Sequence, residues 1–199
     1  MGRYNFDKIV DRKHTKSLKY DFAVQRGKPA DVLPFWVADM DFEIPSELKQ
    51  VLLDRVNHGI FGYTESDDAY FNVLKEWFAS RFNWNIDKKW LVKTPGVVFA
   101  LAMAVRAFTK EGEGVLINQP VYYPFSMVID DNDRNLINVP LIQGADTYTI
   151  DFEGVERAIV EHNVTLFLLC NPHNPVGRVW TEDELKRLGD ICIKHNVII

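Results

Sequence analysis

The sequence has few cysteines, no long apolar run and no excess of basic residues. It contains two cysteines, Cys170 and Cys192, and both lie in apolar stretches, as buried free thiols usually do. No run approaches the roughly 18 apolar residues that a membrane helix needs, and no early apolar segment resembles a signal peptide. We therefore expect a cytoplasmic protein with no membrane partner.

Charge and histidine placement exclude further classes. The net charge of -5, from 23 basic and 28 acidic residues, argues against a nucleic-acid surface. The five histidines are scattered, with no pair at metal-ligand spacing and no cysteine cluster nearby, so we predict no metal site. The expected partner is a small molecule or another protein.

The first part of the chain changes character near residue 45. Residues 1–44 show little periodicity, and we predict that they form an N-terminal arm belonging to a small domain. The stretches "SELKQVLLDRVNH" (46–58) and "DDAYFNVLKEWFASRF" (67–82) space their apolar residues as helices do, with "GIFGYT" as a loop between them.

From Trp90 onward short β-rich segments alternate with helical ones. The predicted strands lie near 90–93, 114–118, 135–140 and 166–170, with another beginning at 197. The predicted helices lie near 97–109, 123–131, 152–161 and 181–195. The last has a start signal, because Thr181 is followed three residues later by Glu184, which can form a capping box. This order predicts an α/β fold, a mostly parallel sheet with helices on both faces. Since "NVII" begins a strand at the end of the chain, we expect residues 45–199 to be the front part of a larger domain.

The segment "KTPGVVFAL" leads from a predicted strand directly into a helix. The backbone amides of Gly96, Val97 and Val98 would then be unpaired at a helix N-terminus, which favours phosphate binding. The alternative is a tight turn in which glycine serves geometry alone.

Two other strand ends carry unusual residues. In "NQPVYYPF", Tyr122 or Tyr123 could lie flat on a planar ligand, or could pack in the core. In "NPHNPVG", the prolines restrict the backbone and direct Asn171 and Asn174 over the sheet edge. The alternative here is a rigid turn before the helix that starts at Thr181.

Four motifs in this order resemble a known family. "FWVADMDF", "TPGVVFAL", "PVYYPF" and "NPHNPVG" are similar to the class I/II aminotransferase superfamily, the fold-type I pyridoxal-phosphate enzymes. Within it, "WVADMDF", "GYT" and "NPHNPVGRVW" resemble the cystathionine β-lyase subgroup of C–S lyases, the MalY and PatB type. The resemblance extends from about residue 33 to residue 199.

The resemblance implies a cofactor, pyridoxal 5'-phosphate, and residues that bind it. The amides of Gly96, Val97 and Val98 would bind its phosphate, and Tyr122 would stack on the pyridine ring. Asn174 would hydrogen-bond the phenolic oxygen of the ring and lie near the substrate.

The resemblance also implies a homodimer and a substrate segment. Tyr63 of "GYT" matches a tyrosine that reaches the phosphate bound by the neighbouring subunit, so the active site would be shared. Val37 and Ala38 match a segment that closes over an amino-acid substrate near its carboxylate. Ala38 stands where many aminotransferases have glycine.

The implied activity is C–S β-lysis, which releases a thiol, pyruvate and ammonia. The family's Schiff-base lysine, the acidic residue at the pyridine nitrogen and the carboxylate-binding arginine would follow residue 199. We therefore assign no catalytic residue and expect the 199-residue segment alone to lack turnover.

Three alternatives remain open. A class I/II aminotransferase would use the same cofactor-binding residues. A flavodoxin-like or Rossmann-type nucleotide binder is less well supported, because "TPGVVFAL" has a single glycine and the chain has no G-x-G-x-x-G or P-loop. A non-catalytic binding module on the same fold is the third.

Overall fold

The computed structural model describes residues 4–199, which fall into two compact units, with the division of the chain between Leu74 and Lys75. The division of the chain into an arm, 1–44, and a larger domain, 45–199, stays a prediction.

The first unit holds a short 3-10 helix, Val24–Arg26, and helix α1, Ser46–His58. Helix α2, Asp68–Phe82, starts in this unit and continues into the second. Helix α1 ends at Gly59, whose φ of 74° is the left-handed conformation that commonly terminates a helix. Both helices predicted here are confirmed, and the segment between them is a loop as expected.

The second unit contains four further helices and five short strands. The helices are α3 Val97–Phe108, α4 Pro124–Asp130, α5 Phe152–His162 and α6 Glu182–Lys194. The strands are β1 Gly114–Ile117, β2 Asn135–Asn138, β3 Ile142–Gln143, β4 Tyr148–Thr149 and β5 Leu166–Phe167.

One predicted strand is wrong and one hairpin was missed. The 90–93 segment follows a 3-10 turn, Lys88–Trp90, in which the Asp87 side chain accepts a hydrogen bond from Lys89 N. This local cap outweighs the β propensity of the apolar residues that follow. Strands β3 and β4 form an antiparallel hairpin around a tight turn closed by Gly144 N and Thr147 O at 2.8 Å.

The main sheet is parallel and has the order β2-β1-β5. Beyond β5, Ile198 forms a parallel bridge with Leu166, where the sequence predicts a further strand. Alternate residues of β1 face opposite sides of the sheet. Val115 lies in a core with α3 and α4, whereas Leu116 lies in a second core with α5 and α6. The prediction of helices on both faces of a parallel sheet is confirmed.

Candidate functional site

The chain changes direction across the sheet at β1. From β1 it passes through α4 to β2, and from β2 it returns past β1, through α5, to β5 on the other side. The loop after β1 leads to α4 on one face, and the loop after β5 leads to α6 on the opposite face. In open parallel sheets, such divergence opens a crevice at the carboxyl ends of the two strands, where ligands bind. The candidate site is this crevice.

Helix α3 starts at the same edge of the sheet. Its last turn lies at the opposite edge, because Arg134, just before β2, donates from Nη2 to Thr109 O at 2.7 Å and from Nε to Thr109 Oγ1 at 3.0 Å. Near its start, Leu101 packs in the same cluster as Val121 and Cys170, which follow β1 and β5. The first turn of α3 therefore lies at the carboxyl edge.

The start of α3 is an open helix N-terminus. No side chain caps it, and the first backbone bond runs from Ala100 N to Gly96 O at 3.1 Å. By contrast, α5 and α6 are capped by the side chains of Asp151 and Thr181. The amides at the start of α3 are thus available to a ligand, at the positive end of the helix dipole.

Gly96 leaves room beside these amides. Its dihedral angles, φ 168° and ψ 169°, are extended, so its conformation does not require glycine. No atom outside its chain neighbours lies within 4 Å of the place a Cβ would take. Packing does not require glycine either, and a side chain would fill space next to the free amides.

The loop after β1 is fixed by hydrogen bonds to residues 138 and 139, and it carries a partly exposed tyrosine. Asn118 is buried and donates from Nδ2 to Val139 O at 2.8 Å, and Gln119 N donates to Asn138 Oδ1 at 3.0 Å. Tyr122 follows, 39% exposed, with the Tyr123 ring tilted edge-on at 5.4 Å between centroids. The anchored loop keeps part of the Tyr122 ring accessible.

His173 joins the loops after β1 and β5. Its Nε2 lies 3.0 Å from Pro120 O, its backbone N donates to Arg178 O at 2.6 Å, and 2% of its surface is exposed. Burial lowers the pKa of His173, so the neutral imidazole donates from Nε2. This contact fixes the spacing between the segments that carry Tyr122 and Asn174.

The two asparagines of the turn have different surroundings. Asn171 Oδ1 accepts from Trp180 N at 3.1 Å, so this side chain braces the turn. Asn174 is exposed, and its backbone N–H donates to Cys170 Sγ at 3.4 Å. Within residues 4–199 its carboxamide has no hydrogen-bond partner, and it remains available to a ligand.

Arg178, next to the turn, has a structural role that the sequence did not reveal. It donates to Tyr148 O and to Glu184 Oε2, each at 2.6 Å, and its guanidinium lies over the Trp180 ring at 4.6 Å. These contacts join β4, the turn and α6. Only its position close to a capping glutamate hinted at this role.

The remaining predicted site residues belong to the first unit. Tyr63 is fully exposed, at 112% of its reference surface, and Val37 has a φ of 61°. Val37 and Ala38 line a cavity of about 440 Å³ together with Lys19 and Asp39. The structure thus places residues 96–98, Tyr122 and Asn174 at one sheet edge. Their roles, like those of Tyr63, Val37 and Ala38, stay predictions.

Residues 4–199 contain no group of three or more His, Cys, Asp or Glu side chains arranged to bind a metal ion. Among the same residues, no helix has both the length and the apolar character needed to cross a membrane.

The chain is similar to known proteins over nearly its whole length. The family described as aminotransferase class I and II matches residues 30–199. Cystathionine β-lyase PatB of Bacillus subtilis is 42% identical over 98% of this chain and 50% of its own length.

Two solved structures resemble the fold. Cystalysin of Treponema denticola, which contains pyridoxal 5'-phosphate, is 40% identical with a TM-score of 0.88, and the match covers 98% of this chain and 50% of that one. A PLP-bound candidate aminotransferase of Clostridium difficile is 44% identical with a TM-score of 0.89, at the same coverage. The chain spans about half the length of the relatives it matches.

Proposed function

Because the chain belongs to the aminotransferase class I and II family, we propose that the full-length protein is a pyridoxal-phosphate-dependent C–S β-lyase. It would convert a thioether amino acid and water into a thiol, pyruvate and ammonia. The observation that carries this proposal is that the chain leaves β1 and β5 towards opposite faces of the sheet, with the open start of α3 at the same edge. The similarity to PatB, a cystathionine β-lyase, supports lyase chemistry, and the similarity to cystalysin supports the cofactor.

The residues around the crevice fit pyridoxal phosphate. The uncapped amides of residues 96–98 suit a phosphate, and Gly96 leaves space for one. The partly exposed ring of Tyr122 suits stacking on a flat heterocycle. The unpartnered carboxamide of Asn174 can donate to the phenolic oxygen of the cofactor.

When bound, pyridoxal phosphate withdraws electrons from the α-carbon of an amino-acid substrate. The contribution of this chain is orientation. The amides at the start of α3 would hold the phosphate, Tyr122 would cover one face of the ring and exclude water, and Asn174 would orient the ring through a hydrogen bond. No residue of this chain is assigned a proton-transfer role.

The proposal extends to assembly, substrate contacts and location. Tyr63 would reach the cofactor phosphate of the neighbouring subunit in a homodimer, and its full exposure is compatible with that role. Val37 and Ala38 would lie near the carboxylate of the amino-acid substrate. A cytoplasmic location agrees with two free cysteines, one of them buried.

An aminotransferase is the second candidate, because the Clostridium difficile structure at 44% identity has that description. The two are separated by incubating the full-length protein with cystathionine and measuring thiol and pyruvate. The lyase proposal expects both products in equal amounts when no keto acid is added as an amino-group acceptor. Amino-group transfer to a keto acid without thiol release would replace it by the aminotransferase. If the full-length protein binds no pyridoxal phosphate, the non-catalytic binding module is the remaining interpretation.

A further inference from the structure

The segment around Val37 has an unfavourable backbone conformation. Val37 has a φ of 61°, in the left-handed region that β-branched residues avoid. It is 42% exposed, so burial of its own side chain does not hold it there. The contacts of neighbouring residues must therefore maintain this conformation.

Arg12 forms hydrogen bonds to the chain just after Val37. Its two Nη atoms donate to the carboxylates of Asp39 and Asp41, the latter at 2.6 Å, and Nη1 also lies 3.3 Å from Met40 O. Asp39 and Asp41 are two residues apart and contact the same guanidinium, as side chains on one side of an extended segment do. One planar cation thus restrains three consecutive residues.

Lys19 adds a second cation to the same carboxylates. Its Nζ donates to Asp41 Oδ2 at 2.9 Å and to Asp39 O at 3.2 Å, and its side chain is only 10% exposed. A lysine this buried requires partners. The cluster of Arg12, Lys19, Asp39 and Asp41 therefore contains equal numbers of positive and negative charges.

The loop that carries Arg12 and Lys19 is itself ordered. The carboxylate of Asp21 accepts from His14 N at 2.9 Å and from Ser17 N at 3.0 Å, and these bonds close the loop between the two cations. Thr15 Oγ1 also donates to Arg12 O at 2.7 Å. The backbone positions of Arg12 and Lys19 are therefore fixed by hydrogen bonds within their own loop.

We propose that Arg12 and Lys19 are positioning residues for the substrate: by fixing Asp39 and Asp41, they hold Val37 and Ala38 in the conformation that receives the substrate carboxylate. The proposal rests on the proposed function, which puts residues 37 and 38 near that carboxylate. It assigns a task to the two acidic residues of "WVADMDF", which the cofactor-binding residues leave unexplained.

The test uses the full-length holoenzyme with Arg12→Gln and, as a partial rescue, Arg12→Lys. The control is Lys8→Gln, which removes an exposed ion pair with Glu43 in the same unit without touching residues 37–41. For Arg12→Gln we expect KM for the amino acid to rise about tenfold with kcat nearly unchanged. Amide hydrogen exchange in residues 37–41 should become faster, and the cofactor absorbance should stay unchanged. Arg12→Lys should fall between, because lysine keeps the charge and loses the two-pronged contact.

Inhibitors with and without a carboxylate separate positioning from general damage. The proposal expects Arg12→Gln to weaken an amino-acid inhibitor and to leave the corresponding amine, which lacks the carboxylate, unaffected. Equal weakening of both inhibitors, unchanged exchange in residues 37–41, or an equal effect of Lys8→Gln would overturn it. The wild-type protein is measured first: a lack of bound cofactor or of amino-acid turnover there contradicts the proposed function itself.

Discussion

At the scale of single residues, the turn after β5 contains two asparagines with opposite surroundings. Asn171 is bonded to the backbone of Trp180, whereas the Asn174 side chain has no partner within the described range. A side chain without a structural partner, at a strand end that faces a crevice, is available for binding.

This difference predicts opposite effects for two matched substitutions. Asn174→Ala should raise the dissociation constant of pyridoxal phosphate by roughly tenfold or more, since a hydrogen bond to a charged group contributes about 1.5–3 kcal/mol, and should leave stability unchanged. Asn171→Ala should lower the free energy of unfolding by about 1 kcal/mol. Cofactor titration and urea unfolding of both variants check this. The assignment is contradicted if Asn174→Ala binds the cofactor normally.

His173 predicts a dependence of stability on pH. Burial lowers the pKa of His173 in the folded protein, whereas the unfolded chain has the ordinary value near 6.5. At pH values between these two pKa values, the unfolded state therefore binds more protons than the folded state. The contribution of this histidine is complete above about pH 6.5 and decreases as the pH falls towards the lowered pKa. Urea unfolding between pH 5 and 7 should show this loss in the wild type and in the exposed-histidine control His162→Gln. It should be smaller in His173→Gln. Identical slopes in all three proteins would contradict the assignment.

At the scale of elements, the open start of α3 allows one donor to be removed without breaking the helix. Val97 is the first helical residue, where proline is well tolerated although it lacks an N–H. Val97→Pro should therefore keep α3 and weaken pyridoxal-phosphate binding about tenfold, by the loss of one hydrogen bond to the phosphate. Val97→Ala, which keeps the N–H, should bind the cofactor as the wild type does. Fluorescence titration measures both constants, and circular dichroism checks the helix. Equal affinity of the proline and alanine variants would exclude this amide as a phosphate ligand.

The elements also show what the sequence could predict. Helix α6 was recognised from Thr181 and Glu184, and the structure confirms the capping box between them. The strand predicted at 90–93 failed because its apolar residues carry no information about the Asp87 cap before them. Periodicity and caps are local signals, whereas strand pairing depends on partners far along the chain.

At the scale of the whole molecule, contacts within each unit join distant parts of the sequence. The bond from His173 to Pro120 spans 53 residues, and that from Arg12 to Asp41 spans 29. The resemblance identified the cofactor-binding segments, but no spacing rule indicated these two links. They emerge only once the chain is folded.

The proposed shared site can be tested by mixing inactive subunits. If Tyr63 serves the neighbouring subunit's cofactor, a dimer of one Tyr63→Ala chain and one Asn174→Ala chain contains one intact site and one doubly altered site. Random mixing should then restore about a quarter of the wild-type activity from two nearly inactive preparations. Sedimentation of the mixture establishes that dimers are present. Activity no greater than the mean of the parent preparations would contradict a shared site.

The most direct measurement is a crystal structure of the full-length protein grown with pyridoxal phosphate. We expect density for the cofactor in the crevice beyond β1 and β5, with its phosphate at the amides of residues 96–98, its ring against Tyr122 and its phenolic oxygen within hydrogen-bond distance of Asn174. Density for the cofactor elsewhere, or a crevice that stays empty at saturating cofactor, would contradict it.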